Sequence, residues 1–334
     1  MSIEGLCATV RSERDLRIAL LDELRRSVPF DAYAWVLTDP HTEVGASPVA
    51  DVPCLSELPR LIRLRYATEH ARWTGVGDSV VTLVDSTAGR PEQSRLYREL
   101  LVDLGVSDVA SVVFRDVNGC WAFLDLWRMD GTFDPAETRL LRSGVEPITA
   151  ALRRCVLHTF ADTDPHVGRS LPTPVVILLD DDLRVREQTP TAEGYLGTLL
   201  PPEADQRAIP AGAYNVAAQF LAVEDGVDDH EPAARVHVEP LDWLVFRAAR
   251  LGDDIAVTIE RASPFERLEL FARAAGLSPR ESELVEHLTT GADTRQVAAL
   301  MFVSENTVQD HLKAVFAKTG VRSRRELLAR VAGR

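Results

Sequence analysis

Four polar side chains near the end of the chain stand where hydrogen-bonding chemistry on a large partner is possible. Asn306, Gln309, Asp310 and Lys313 are interleaved with Val308, Leu312, Val315 and Phe316, which fall at i, i+4, i+7 and i+8. At helical spacing the apolar four make one buried stripe and leave the polar four on other faces. Amide, carboxylate and ammonium groups together can donate to and accept from the edges of bases. Arg295, Lys318, Arg322, Arg324 and Arg325 stand around them and suit phosphate oxygens.

These side chains need a scaffold, and the stretch Leu277–Val331 supplies one with little freedom. Ser278, Pro279 and Glu281 give an N-cap, a proline at the first helical position and a capping-box acid. Gly291 ends that helix. Asp293 and Gln296 have capping-box spacing for a short second helix carrying Val297, Ala298 and Met301. Ser304 caps a third helix, with Glu305 at the positive end of its dipole, and Gly320 stops it. Ser323 and Glu326 repeat the capping box for a fourth helix with Leu327, Leu328 and Val331. A short helix, a tight turn and a longer helix with outward polar residues is the plan of a helix-turn-helix, whose second helix is built to enter a major groove.

The residues Leu277-Ser-Pro-Arg-Glu281, Gly291, Val297-Ala298, Val303-Ser-Glu-Asn-Thr-Val308, His311-Leu312 and Gly320-Val-Arg-Ser323 resemble the LuxR-type DNA-binding domain, a four-helix module of bacterial regulators. The resemblance implies base reading from Gln309, Asp310 and Lys313 and phosphate contacts from Thr307, Lys318 and Arg322. Arg295 and Ser323 complete the expected interface with double-stranded DNA. Where Gln309 and Asp310 stand, the family usually has a basic or small apolar residue. An acid facing DNA is favourable only where it accepts from a cytosine amino group. His311 is read as a packing residue beside Leu312.

Length and charge set bounds. A chain of 334 residues fits two or three domains. The net charge is −14, but from Pro264 onward 11 Lys and Arg face 9 Asp and Glu, so this part carries +2 and the rest −16. DNA contact should therefore be confined to the C-terminal tip, with modest non-specific affinity that falls steeply with salt. No apolar run approaches the ~20 residues of a membrane helix, and the start has no apolar leader; a cytoplasmic protein is expected. Cys7, Cys54, Cys120 and Cys155 form no CxxC and are expected as reduced, buried small hydrophobes. No phosphate-cradling loop, GxSxG or histidine pair offers an enzyme its anchor, and neither metal nor cofactor is expected. The first 150 residues lack the acidic pair, the phosphoacceptor aspartate and the late lysine of a receiver domain.

In front of the helical module, sequence patterns predict two α+β units. Leu16, Ala19, Leu20, Leu24 and Val28 form a helical stripe after Ser12; Phe30–Leu37 alternates as a strand; and Leu55–His70 and Gln93–Leu104 are predicted helical. Val109–Arg115 and Cys120–Arg128 flank Asn118-Gly119, the strongest short hairpin signal. A long helix follows, with Leu140, Leu141, Val145, Ile148, Leu152 and Val156 along one side. Together, and most closely over Thr132–Leu141 and Ala150–Arg153, these resemble a GAF domain. After a Thr159–Pro174 linker, Val175–Leu196, a helix over 213–223 and strands at Arg235–Val238, Asp242–Ala249 and Asp254–Glu260 resemble a PAS domain. The expected fold is thus multidomain α+β: a GAF-like unit at 1–158 and a PAS-like unit at 172–262, each an antiparallel sheet flanked by helices. An all-α four-helix LuxR-type unit, with its linker helix, fills 264–334.

That architecture implies a transcription regulator working as a homodimer, its front units answering a small-molecule effector or serving instead as a protein-interaction platform. The stripes on 16–28 and 140–156 are expected to form the dimer interface, so that Leu141→Asp would give monomers. Trp35, Trp121, Phe123 and Trp127 are candidate effector-binding residues. At period two, Trp121, Phe123, Asp125 and Trp127 would share one face as an apolar pocket with one polar group; the alternative is core or dimer interface.

Overall fold

The computed structural model describes residues 2–161, 175–192, 211–238 and 242–333. The chain opens with two capped helices, α1 (Ile3–Thr9) and α2 (Glu13–Leu24), whose N-caps are Ser2 and Ser12. Strands β1 (Ala32–Thr38) and β2 (Gly45–Asp51) follow, then α3 (Leu58–Ala67), β3 (Val80–Thr82), the single turn α4 (Leu83–Ser86), β4 (Asp108–Asp116) and β5 (Gly119–Arg128). The long helix α5 (Pro135–Thr159) starts from a full capping box of Asp134 and Glu137. The five strands form an antiparallel sheet in the order β2-β1-β5-β4-β3.

Strands β6 (Val175–Leu179) and β7 (Val185–Gln188), helix α6 (Ala211–Glu224), and strands β8 (Ala233–Val238), β9 (Asp242–Leu251) and β10 (Asp254–Arg261) make a second antiparallel sheet, β7-β6-β10-β9-β8. Counted from its own first strand, this repeats the order of the first sheet. Five helices do not interrupt the sheets but follow them: α7 (Pro264–Ala275), α8 (Pro279–Thr289), α9 (Thr294–Leu300), α10 (Glu305–Thr319) and α11 (Arg324–Ala332). Among the described residues no helix is long and apolar enough to cross a membrane. All four cysteines are free and buried.

One face of the first sheet is covered by α1, α2 and α5. There Leu16, Leu20, Leu24, Leu141, Val145, Ile148 and Leu152 pack on Trp35, Phe114, Leu124 and Leu126. The two stripes expected to pair copies of the chain are therefore used inside one copy; Leu141 is 4% exposed. A helical stripe says that a face is buried, and the nearest apolar sheet claims it before a second chain can.

The opposite face of the first sheet does not end in solvent. Val36, Val113, Phe123, Ile62 and Tyr66 join one continuous core with α6 and with Ile177, Val236, Phe246 and Val257 of the second sheet. Helix α6 is buried nearly all round and packs on α3, β2 and β9. The two sheets thus sandwich α6 rather than standing apart on a linker. Most of the linker expected over Thr159–Pro174, and the end of the helix expected to reach Leu196, lie outside the described residues.

Two local readings shift. The β4–β5 turn is Val117-Asn118, with Asp116 paired to Gly119, so the glycine is the first residue of β5 and not the second of the turn. The Asp116 carboxylate accepts the Asn118 backbone N–H at 2.8 Å and draws the turn back by one residue. Glycine is still required at 119: φ is +141°, and a Cβ there would lie 2.1 Å from the Pro40 carbonyl oxygen. The helix expected over Gln93–Leu104 is a π-helical turn at Tyr97–Leu101 closed by Gly105 at φ +71°.

Candidate nucleic-acid interface

Local capping sets each helix of the C-terminal unit. Ser278 with Glu281, and Asp293 with Gln296, make complete capping boxes, while Ser304 and Ser323 accept from Thr307 N–H and Glu326 N–H. Gly320 takes φ +70° and ends α10. Val297 and Ala298 of α9 and its C-cap Met301 meet Val308, Leu312 and Val315 of α10 in a core closed by Leu284, Val285, Leu288, Leu327 and Val331. This packing fixes how α10 is rotated: with its apolar stripe inward, Glu305, Asn306, Gln309, Asp310 and Lys313 are all exposed.

Seven of the eight expected interface residues fall into three groups, and Lys318 stands apart from them. Gln309, Asp310 and Lys313 share the outer side of α10, where Lys313 Nζ lies 3.0 Å from Asp310 Oδ1. Both side chains are about three-quarters exposed, 77% and 75%, so this pair is weak and screened by salt, and the ammonium can leave it for a stronger acceptor. Arg295 on α9 and Arg322 before α11 are exposed. The Arg322 backbone N–H donates to Glu326 Oε2 at 2.8 Å, and its guanidinium has no ion pair among the described residues. Thr307 and Ser323 are tied into caps, the Thr307 hydroxyl lying 2.9 Å from Ser304 Oγ.

Lys318 departs from expectation. Its ammonium donates to Glu281 Oε2 at 2.6 Å and to the Gly276 carbonyl at 3.1 Å. Glu281 is the capping-box acid of α8 and is 7% exposed, and a buried carboxylate needs a cation close by. Burial pushes its carboxyl up, but the Lys318 ammonium and the Ser278 N–H outweigh that and hold it below its ordinary range. Lys318 therefore clamps α10 to α8 instead of reaching outward. Only the three-dimensional neighbour shows this, since 37 residues separate the partners.

Helix α7 fastens this unit to both sheets. Its apolar side, Leu268, Leu270 and Phe271, belongs to the core of the helical unit, together with Phe160 at the end of α5 and Trp243 of β9. Arg267 caps the far end of α11, Nε donating to the Val331 carbonyl at 3.0 Å. Its polar side meets the sheets: Glu266 pairs with Arg247, and Arg273 donates to the Asn118 carbonyl at 3.1 Å. Arg235 is the central tie. It lies on β8, is 5% exposed, and reaches Asp39 of the first unit through Nε at 2.6 Å and Nη2 at 2.8 Å. Its Nη1 donates to Glu269 and to the Glu266 carbonyl of α7, both at 3.0 Å. One guanidinium thus joins all three parts of the chain.

The four candidate effector-binding residues are split between two faces. Trp35 stacks on Phe114 at 5.3 Å on the α2–α5 side. Phe123 stacks on Trp73 at 5.0 Å on the α3 side, and Trp127 packs there with Leu61, Leu64 and Leu83. Trp121 is the correction. Arg115 pairs with Cys120 and Phe114 with Ala122, so Trp121 is the extra residue of a β-bulge. The bulge turns its ring to the side of Trp35, away from Phe123 and Trp127, because one added residue reverses the alternation.

Asp125, the polar group expected in the pocket, is engaged by the chain itself. Arg65 Nε lies 2.8 Å from Asp125 Oδ2, and Ser111 Oγ and Trp73 Nε1 donate to Oδ1 at 2.7 and 3.0 Å. The buried indole N–H groups of Trp35 and Trp127 have no acceptor among the described residues.

Residues 275–331 match the profile of the family described as bacterial regulatory proteins, luxR family. A stretch of 57 residues is 40% identical to a probable HTH-type transcriptional regulator, GfsR, of Streptomyces halstedii, covering 17% of this chain and 24% of that protein. Over 56 residues the chain is 38% identical to the CsgBAC operon transcriptional regulatory protein of Escherichia coli K12, covering 17% and 26%. It thus spans about a quarter of the length of these two relatives. The solved Escherichia coli SdiA overlays 98% of this chain and 93% of its own at a TM-score of 0.36 and 10% identity, a likeness too loose to carry the fold.

Proposed function

We propose that this chain, with its LuxR-type helix-turn-helix at the C-terminus, is a bacterial transcription regulator that binds double-stranded DNA. The observation that carries the reading is the outer side of α10. Gln309, Asp310 and Lys313 are exposed together, and their one ion pair among the described residues stays within the helix. Laid in a major groove, that side presents an amide, a carboxylate and an ammonium to base edges. Arg295 and Arg322 hold phosphate on either side of it, and the Thr307 and Ser323 hydroxyls sit at helix N-termini where a phosphate oxygen is favoured.

The remaining readings are proposals of the same kind. The units at 1–158 and 172–262 act as GAF-like and PAS-like sensors, which the repeated strand order supports. A small effector bearing hydrogen-bond acceptors would answer the unpaired indole N–H groups of Trp35 or Trp127. Trp121 would contribute apolar surface to an effector on the Trp35 side of the sheet, and Phe123 to one on the Trp127 side. A homodimer would place two α10 helices in successive major grooves about 34 Å apart, and would form through a surface other than the α2 and α5 stripes.

Fluorescence anisotropy of the full chain on labelled duplexes at two salt concentrations tests the central claim. Binding should weaken steeply with salt, and Arg322→Ala should weaken all sequences alike while flattening the salt slope by about one. Failure to retain any duplex from a random pool at low salt would overturn it.

A further inference from the structure

Phe302 sits in the turn between α9 and α10, where its ring is 95% exposed and its φ is +56°. Bulky residues rarely hold positive φ; glycine and asparagine do so more readily. The backbone is fixed there by its neighbours, with Phe302 N–H donating to the Ala299 carbonyl at 3.3 Å and Val303 N–H to that of Ala298 at 3.0 Å. Met301 and Val303, on either side, are the residues drawn toward the core. The fold thus asks for a small residue at 302 and has a large apolar one, turned to water, with Leu300 at 51% exposure beside it.

The position of the ring gives it an occupant. Ser304, two residues on, caps α10, so Phe302 lies within about 8 Å along the chain of the end that enters the groove. The apolar group that a major groove offers there is the C5-methyl of thymine, and phenylalanine is among the side chains that pack on it. A second copy of the chain fits poorly. One ring and one leucine present far less than the roughly 800 Å² per partner of a stable interface, and the nearby chain carries the exposed polar residues Arg295, Gln296 and Glu305.

We propose that Phe302 is a specificity-determining residue that packs on a thymine methyl at the edge of the site read by α10. The proposal rests on the DNA-binding reading above and adds an apolar contact to its polar ones.

The test uses the full chain and a duplex that it selects from a random pool. Each thymine is replaced in turn by deoxyuridine, which removes only the methyl, and affinities are compared for the wild type, Phe302→Ala and Phe302→Gly. Phe302→Ala should lose about tenfold on the selected duplex and less than about twofold on random DNA. One deoxyuridine position should cause a similar loss for the wild type and no further loss for Phe302→Ala. Equal losses on both DNAs with no deoxyuridine effect would place the ring on the sugar–phosphate backbone and overturn the proposal. Unchanged DNA binding with altered sedimentation would overturn it in favour of a protein contact. Phe302→Gly should melt no lower than the wild type; a lower melting temperature would show that the ring supports the fold. A wild type that selects no duplex at all would instead refute the DNA-binding reading, a result distinct from each of these.

Discussion

Replacing Asp39 by asparagine should destabilise the whole chain, and the geometry sets the size of the effect. The Asp39 side chain is 2% exposed, and its Oδ2 accepts from Arg235 Nε at 2.6 Å and from the Arg235 backbone N–H at 2.9 Å. Its Oδ1 accepts from Arg235 Nη2 at 2.8 Å and from His41 N–H at 2.9 Å. Asparagine keeps one acceptor and turns the other into an NH₂ that faces donors. The buried guanidinium then loses its closest anion but keeps Glu269, 3.0 Å away. Breaking a buried pair costs about 3–5 kcal/mol, and the surviving partner argues for about 3. Urea unfolding followed by tryptophan fluorescence at pH 7 measures this, and one transition is expected because the two sheets share a core.

The double variant Asp39→Asn, Arg235→Met should recover much of the loss, since an unpaired buried charge is worse than none. Burial pushes the Asp39 carboxyl up, but the Arg235 guanidinium and the backbone N–H groups outweigh that and leave it below its ordinary range. Its contribution is therefore fully present above the unfolded-state pKa near 3.9 and is lost as pH falls through the lower folded value. A loss below about 1 kcal/mol for Asp39→Asn, with no recovery in the double variant, would refute the idea that this pair ties the parts together.

Leu141→Asp should abolish folding rather than yield monomers, because it buries a carboxylate in the core of the first unit; loss of the cooperative melt shows this, and a folded monomer would contradict it. Asp310→Ala should tighten binding to random DNA and narrow the gap to selected DNA, since the acid repels phosphate everywhere; anisotropy on both DNAs reads the sign. Lys318→Ala should lower the stability of the chain by about 1–2 kcal/mol by leaving the Glu281 carboxylate without its cation, measured by urea unfolding, while its salt slope on DNA stays that of the wild type.

The parts of this structure that were legible in the sequence are those set by near neighbours. Ser278 with Glu281, Asp293 with Gln296 and Ser323 with Glu326 act across three residues, so the four C-terminal helices could be written before any coordinates. The strands after Val109 and Ala233 were legible for the same reason. What escaped depends on distance. Alternation placed Trp121 with Phe123 and Trp127, but a bulge set by the pairing of β4 with β5 turned it over. The stripes on α2 and α5 declared themselves buried without naming what buries them. Lys318 read as a free cation because Glu281 lies far away in sequence, and Arg235 showed no sign in its own strand of touching both Asp39 and α7.

The all-round burial of α6 has a consequence for how the chain is made. When the first 161 residues have left the ribosome, the α3 side of their sheet still bares Val36, Ile62, Tyr66 and Phe123, because the helix that covers it ends at Glu224. At roughly 5–20 residues per second, the wait lasts on the order of 3–13 s. During that time a nascent chain carries an apolar surface that chaperones can seize and that neighbouring nascent chains can stick to. For the same reason, a fragment cut after α5 would bare this surface permanently, so the unit that can be isolated in soluble form is the pair of sheets together with α6.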